Sequence, residues 1–472
     1  AMNIKEKAEK LAATAVINTV LQIIDKDPEK NVDKIFAAIK KFVKDEDQKK
    51  QIDNVCQYYN ENPAVKEFIQ GILKTTNKKA LKKFFTNFFV NGVWLSASKR
   101  EKYMEEENVK IPFIMLISPS MRCNIHCTGC YAASFSKKDD MSPEEVDRLI
   151  GEARDLGIHW IVVLGGEPFF NKYMLDLYEK YNDVMFTPFT NGTLIDEETA
   201  DRLAKAGNVI PMLSVEGSEE ATDGRRGKGV YQKVMHAMDL LNERGVLFGV
   251  STAATSQNIE SVTSDEFTDL MISKGSKMCW YFIFMPVGDA KPDFSLMLSP
   301  EQRLYLGKRV REIRKTKPYF TLDFFNDAPY VGGCIAGKYY FHINSKGNVE
   351  PCIFSHFSTQ NAIGKPLIDV LRDPFFRIMR EKQPYNKNML KPCSMIDNPG
   401  FIRQIVKEAG AKPDDEGADA MINDPEFKAT LNQIAKEFTP YADKEWKEVF
   451  HEKGNMQFST GHSKKLNGKL DK

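Results

Sequence analysis

Little in this chain points to a membrane span, an extracellular setting or a nucleic acid. Cysteine is scarce, eight in 472 residues, so no disulfide framework is expected and a reducing, anaerobic compartment suits the chain. No apolar run approaches the ~18 residues of a membrane-spanning helix, and the first residues lack the order of a secretion signal. The expected location is cytoplasmic. An excess of one charge is missing too: 66 Lys and Arg stand against 65 Asp and Glu, which leaves no bulk field to hold nucleic acid. The length allows roughly three domains.

Apolar spacing divides the chain. Residues 1–108 read as an N-terminal helical domain: Val16, Ile17, Val20, Leu21 and Ile24 make one helical stripe, and Ile35, Phe36, Ile39, Phe42 and Val43 a second. Asp27-Pro28 and Asn62-Pro63 break the pattern. Leu81, Phe84, Phe85, Phe88 and Phe89 make a third stripe, flanked by Lys78, Lys79, Lys82 and Lys83. Over 109–300, short apolar strands at 112–118, 159–164, 184–189, 209–215, 247–253 and 279–285 alternate with amphipathic helices at 143–156, 171–182, 195–206, 229–244 and 258–274. Such alternation predicts an α/β fold, a partial (β/α)6 TIM-like barrel of parallel strands with its chemistry at their C-terminal ends. Residues 301–400 read as a small cysteine-bearing α+β extension. Residues 401–472 read as a charged helical tail, polar and disordered from Gly454.

Directly after the first strand stand Cys123, Cys127 and Cys130, spaced C-x3-C-x2-C. Three thiolates this close can hold a 4Fe–4S cube that four normally hold, leaving one iron open to a small ligand. The competing reading is a zinc knuckle. The spacing resembles the signature of the radical S-adenosylmethionine (radical SAM) family. That resemblance implies that the open iron chelates S-adenosylmethionine (SAM) and that an electron from the cluster cleaves it to methionine and a 5′-deoxyadenosyl radical.

The strand ends fit the same resemblance. Strand 159–164 ends in Gly165-Gly166-Glu167-Pro168, where glycine lets backbone approach a ligand closely; this is similar to the family's GGE motif, which implies a hold on the SAM amino group. Thr190-Asn191-Gly192 forms a polar turn at the same mouth. Ser214 and Glu216 share one strand face by the two-residue period and resemble the family's ribose motif. In Asp223-Gly224-Arg225-Arg226-Gly227 the D-x-x-R-G spacing is similar to that of peptide-modifying relatives. It implies that Arg226 pairs with the SAM carboxylate, as guanidinium geometry suits, with Arg225 a solvated neighbour. Ser251 and Met285 are expected at the ribose and adenine. One position departs: many relatives have an aromatic residue before the third cysteine, where this chain has Gly129.

A second cysteine group follows. Cys334 and Cys352 lie in the pattern C-x12-G-x4-C, and Cys393 comes about forty residues later. Residues 338–353 read as a hairpin that brings Cys334 and Cys352 together. This resembles the opening of SPASM and twitch extensions, and implies one auxiliary iron–sulfur cluster on Cys334, Cys352 and Cys393, with an open iron or a fourth ligand for which His356 and Asp397 are the neighbours in sequence. Three buried thiols are the alternative. Cys56 and Cys279 are read as packing residues.

The resemblance implies an enzyme that abstracts hydrogen from an unactivated C–H bond, fed electrons by a small-molecule donor or by flavodoxin or ferredoxin. The Phe-rich stripe with its lysines and Trp94 has the composition of a helix lying on an anionic membrane. It favours a lipid or other hydrophobic substrate, reached by peripheral contact of residues 78–95 with the inner membrane face, and C–C bond formation as an outcome. The alternative is a SPASM-type enzyme that makes thioether or C–C crosslinks in a peptide, against which the helical N-terminal region lacks a strand-rich recognition domain. A third reading is a non-catalytic iron–sulfur protein that carries electrons or senses redox state.

Overall fold

Each of the six apolar runs forms a strand in the computed structural model, which describes residues 4–43, 46–132, 135 and 138–451; the tail from Gly454 lies outside the described residues. The strands are Ile114–Ile117 (β1), Trp160–Val163 (β2), Met185–Thr190 (β3), Met212–Ser214 (β4), Gly249–Ala254 (β5) and Met278–Ile283 (β6). They pair in sequence order, all parallel. Six helices precede the sheet: Ile4–Asp25 (α1), Val32–Phe42 (α2), Glu46–Glu61 (α3), Pro63–Thr75 (α4), Lys78–Lys83 (α5), which continues with wider turns over Phe84–Leu95, and Ala97–Glu107 (α6). The crossovers carry Pro143–Asp155 (α7), Tyr173–Lys180 (α8), Glu197–Ala206 (α9), Glu219–Arg226 (α10) and Val230–Glu243 (α11).

Two crossovers depart from the periodic reading. The run 258–274 splits into Ile259–Val262 (α12) and Asp265–Ser273 (α13), because the Ser264 side chain accepts the Phe267 N–H and starts a new helix. Helix α10 has too few apolar residues to show periodicity; its Ser218 cap starts it, and it ends on Arg225 and Arg226.

The sheet does not stop at six strands. After Pro300–Thr316 (α14), Phe320–Asp323 (β7) adds parallel to β6, and Tyr340–Ile343 (β8) adds parallel to β1. Val349–Glu350 (β9) returns antiparallel to β8, the expected hairpin. The resulting order is β7-β6-β5-β4-β3-β2-β1-β8-β9. Because β7 and β8 lie on opposite flanks, residues 324–339 must cross from one side of the partial barrel to the other, carrying Cys334 with them.

The Phe-rich stripe of residues 78–95 closes the barrel floor. Phe84 and Phe88 pack with Met185, Ile210, Leu247 and Met278, at the N-terminal ends of the strands. The Phe88 ring meets Trp160 edge-on at 4.9 Å. Leu81, Phe85 and Val90 turn the other way, into a small core with Val16, Val20 and Ile24 of α1. The lysines are engaged as well: Lys82 pairs with Asp25 at 2.5 Å and Lys83 donates to the Asn182 carbonyl at 2.7 Å. The face expected on a membrane is thus largely spent inside the protein, although Phe89, Val93 and Leu95 remain exposed. No helix among the described residues is long and apolar enough to cross a membrane.

If this packing closes the floor, Phe88→Ala costs about 2–4 kcal/mol of stability, read as a lower midpoint in thermal unfolding; an unchanged midpoint would mean that the ring packs on nothing.

Candidate active site

Cys123, Cys127 and Cys130 all line one cavity of about 1130 Å³ at the C-terminal ends of the strands. The loop that carries them is held by backbone. Leaving β2, the N–H groups of Leu164, Gly166 and Glu167 donate to the carbonyls of Ile117, Ser120 and Arg122, at 2.8–2.9 Å. This zipper needs both glycines. A Cβ on Gly165 (φ +111°) would stand 2.2 Å from the Ser120 oxygen, and one on Gly166 2.2 Å from the Arg122 oxygen. On the far side, the Thr128 N–H donates to the Arg225 carbonyl at 2.9 Å and ties the loop to the end of α10.

Polar groups point at the sulfurs. The Asn191 side-chain amide lies 3.8 Å from Cys123 Sγ, and Arg226 Nη1 lies 3.8 Å from Cys127 Sγ. Burial pushes both thiols up in pKa, while the neighbouring guanidinium groups pull Cys127 down. Donors and a cation around three sulfurs suit an anionic iron–sulfur cluster. Among the described residues no three His, Cys, Asp or Glu side chains converge as ligands round a single ion.

Several expected SAM contacts reach the cavity: Gly165, Gly166, Thr190, Asn191, Ser214, Ser251, Met285 and Arg226 all line it. Three of the expected contacts, Glu167, Glu216 and Arg226, have partners within the protein. The Glu167 carboxylate is buried and accepts from Thr190 Oγ1 (2.7 Å), Asn191 N–H (2.8 Å) and Phe169 N–H (3.1 Å), so it fastens β2 to β3 and does not line the cavity. Pro168 starts a buried single turn behind it. Glu216, fully buried, does not share the ribose face with Ser214. Its Oε1 accepts from Arg226 Nε (2.9 Å) and Nη2 (2.6 Å) and from Arg225 Nη1, and its Oε2 from the Ala253 N–H (3.1 Å). Burial alone would raise its pKa, but the two guanidiniums hold it below the usual carboxylate range. Arg226 therefore has a protein carboxylate as its partner, and Arg225 is its fellow rather than a solvated neighbour.

An aromatic ring from the end of β6 lies against position 129. Gly129 has φ +65°, and a Cβ there would stand 2.7 Å from the ring of Phe284, just past β6. Other wall residues were not singled out in the sequence: Phe282 stacks on Phe324 at 4.5 Å, and Trp280 packs on Phe189 and Phe324 at 5.5 Å. Their signal was there in the alternation of Trp280 and Phe282 along β6. Trp280 and Thr252 line this cavity, and their Nε1 and Oγ1 atoms are buried without a hydrogen-bond partner among the described residues.

Cys334, Cys352 and Cys393 line the same cavity. The Tyr340 hydroxyl donates to Cys352 Sγ at 3.0 Å, and backbone N–H groups of Phe354 and Met395 point at Cys352 and Cys393, each at 3.4 Å. Burial drives these thiols up, Cys334 to about 12, so they bind as thiolates only when a cation neutralises them. Neither sequence neighbour is free to be a fourth ligand. His356 uses Nδ1 on Asp415 and Nε2 on the Ile353 carbonyl. Asp397 is gripped by Arg303 at 2.5 and 3.0 Å and accepts the Cys393 N–H at 3.0 Å. Cys279 is fully buried in β6, as a packing residue should be.

Comparison with known proteins agrees with this geometry. The model of the radical SAM superfamily matches residues 117–263, and that of the iron–sulfur cluster-binding SPASM domain matches residues 334–395. The chain is 27% identical to the Fe-coproporphyrin III synthase of Methanosarcina barkeri, over 46% of this chain and 57% of that one. It is 24% identical to the AdoMet-dependent heme synthase of Nitratidesulfovibrio vulgaris, over 57% of this chain and 82% of that one. In fold it is similar to Streptococcus suis SuiB bound to S-adenosylmethionine, with a TM-score of 0.53 and 22% identity over 63% of this chain and 76% of that one. SuiB has also been solved with its precursor peptide SuiA, at a TM-score of 0.52 and 20% identity, over 70% of this chain and 87% of that one.

Asp397→Ala strips the buried Arg303 of its partner, a loss of about 3–5 kcal/mol, and releases Cys393. Bound iron is expected to fall by about half, to the roughly four irons of one cluster; full iron content in a folded variant contradicts this.

Proposed function

The chain is a radical SAM enzyme with a SPASM segment across its barrel, and from that premise we propose that it abstracts hydrogen from an unactivated C–H bond in an apolar part of its substrate. When bound, the cluster and SAM supply the 5′-deoxyadenosyl radical that takes the hydrogen atom. The chain's own part is to position and to exclude. Cys123, Cys127 and Cys130 would hold the cluster, and Cys334, Cys352 and Cys393 the auxiliary one. Asn191 and Arg226 stand beside the cluster sulfurs, and Ser214 and Ser251 reach the cavity from β4 and β5 with hydroxyls suited to a ribose.

One observation carries the substrate class. The space between the two cysteine groups is walled by Leu116, Val162, Phe189, Trp280, Phe282 and Phe354. Such a wall gives a polar substrate few partners and an apolar one a water-free site. The names of two relatives are in keeping with it, since coproporphyrin and heme are flat apolar rings edged by carboxylates. A lipid in particular has no counterpart among those relatives, and the packing of Phe84 and Phe88 on the barrel floor weakens the idea of a membrane-facing helix.

A peptide is the second reading, supported by the SPASM segment and by a neighbour in fold that has been solved with its precursor peptide. An apolar side chain of a peptide would suit the same walls. The described part of the N-terminal region is helical and offers such a peptide no strand to pair with.

Anaerobically reconstituted, reduced enzyme should release 5′-deoxyadenosine, and release should rise with the host's lipid extract over a substrate-free blank. A rise with the aqueous peptide fraction alone would transfer the proposal to the peptide reading. Cys127→Ala should abolish release, whereas Cys352→Ala should retain it and lose one cluster's iron and the product. Retained release in Cys127→Ala would sink the site assignment.

A further inference from the structure

The cavity does not end at the cysteines. It runs on past Trp280 and Leu322 to a second end between α4, the last turn of α14 and β7, where Phe68, Lys315 and Phe320 line it. The two elements are clamped there: Asn62 caps α4 by accepting the Val65 N–H, and its amide donates to the Lys315 carbonyl at 3.1 Å. Phe68 and Phe320 stack at this end with ring centroids 6.5 Å apart. Phe320, Val331 and Lys315 are exposed, so this end meets solvent. Large exposed apolar side chains beside a mostly apolar passage are unusual on a surface that binds nothing.

The charges at this end are uneven in a way that selects a ligand. Four basic residues line it: Arg311, Arg314, Lys315 and Lys317. Three are satisfied within the protein, Arg311 by Glu445 (2.9 Å), Arg314 by Asp327 (2.8 Å) and Lys317 by Asp269 (2.8 Å). Two carboxylates also line it. Asp327 is taken by Arg314, and Asp323 is buried against the N–H groups of Phe325 and Asn326, with burial pushing its pKa up to about 6. The Lys315 ammonium forms no ion pair or hydrogen bond among the described residues. An apolar passage with one unspent cation at its outer rim matches an apolar chain that ends in an anion.

Resting on the apolar-substrate reading above, we infer that the substrate enters between α4 and β7 as an acyl chain with an anionic end. Its tail passes Phe68 and Phe320 toward the cysteines, and its anionic end stays at Lys315. Lys315 is then a specificity residue, and the pair Phe68 and Phe320 forms the gate.

Trp280 lines the passage and reports on it. 9,10-Dibromostearate, whose bromines quench indole on contact, should quench the reconstituted holoenzyme saturably, and Trp280→Phe should lose that component. Lys315→Glu and the milder Lys315→Gln should weaken binding by about three- to tenfold, and the neutral dibromostearyl alcohol should bind weaker by a similar factor. Vesicles of dibrominated phosphatidylglycerol tell a bilayer source from a free acid: quenching by either, with dependence on Lys315, supports the inference and names the source. Equal binding of acid and alcohol, unchanged in both Lys315 variants, overturns the anionic end but leaves the apolar reading standing. No quenching by any brominated chain overturns the acyl chain and its route, whereas the apolar-substrate reading stands or falls with the 5′-deoxyadenosine release described above.

Discussion

Glu216 gathers two guanidiniums and a backbone N–H on one carboxylate that is wholly out of water. Burying a lone carboxylate is costly, and removing one partner of such a set leaves an uncompensated charge. The set therefore stands or falls together. Through it β4, β5 and α10 are fixed to one another, and the Thr128–Arg225 backbone bond passes that rigidity to the cysteine loop. With Gly165 and Gly166 zipped along the other side, the loop is held from two directions by groups that are not thiols. Its shape is therefore set by the barrel.

The crossing from β7 to β8 does the same for the second cysteine group. Because β8 joins the sheet beside β1, the hairpin that carries Cys352 is an extension of the barrel rather than a separate body. Cys334 rides on the crossing segment, and Cys393 is fixed by the N–H bond to Asp397, itself gripped by Arg303. Both groups consequently open onto one cavity. A substrate between them would lie within reach of both, whereas a purely electron-carrying protein has no use for such a space.

Much of this was legible in the sequence. The cysteine spacings and six strand positions were, because both are local: one depends on covalent proximity, the other on short apolar runs between amphipathic helices. What failed was pairing at a distance. The two-residue period put Ser214 and Glu216 on one face, but strand β4 ends at Ser214, and past the end of a strand the period no longer holds. Arg226 and Glu167 were assigned to a ligand by motif; the protein partner that each also has lies ten or more residues away, which spacing alone does not reveal. Strand β8 was read as the first arm of the hairpin, but its place beside β1 was not, nor was β7 beside β6, because both depend on edges that only the folded barrel creates. The Phe-rich stripe had the composition of a membrane helix and also of a barrel plug. Composition cannot separate these, since both bury phenylalanine beside lysine.

The N-terminal helices give the barrel its chemical privacy. A partial barrel leaves its floor and one flank open, and a carbon radical needs a site with no water and few hydrogen donors. Phe84 and Phe88 close the floor, and α4 stands at the flank beside β7, anchored by Asn62 to α14. What remains open is the rim of the cysteine loop, where Asn124, His126 and Thr128 are exposed, and the end near Lys315 and Phe320. The first is polar and lies beside the sulfurs, so it would suit SAM. The second is apolar with one spare cation. On the reading proposed above, two routes of opposite character into one cavity would let cofactor and substrate enter without competing.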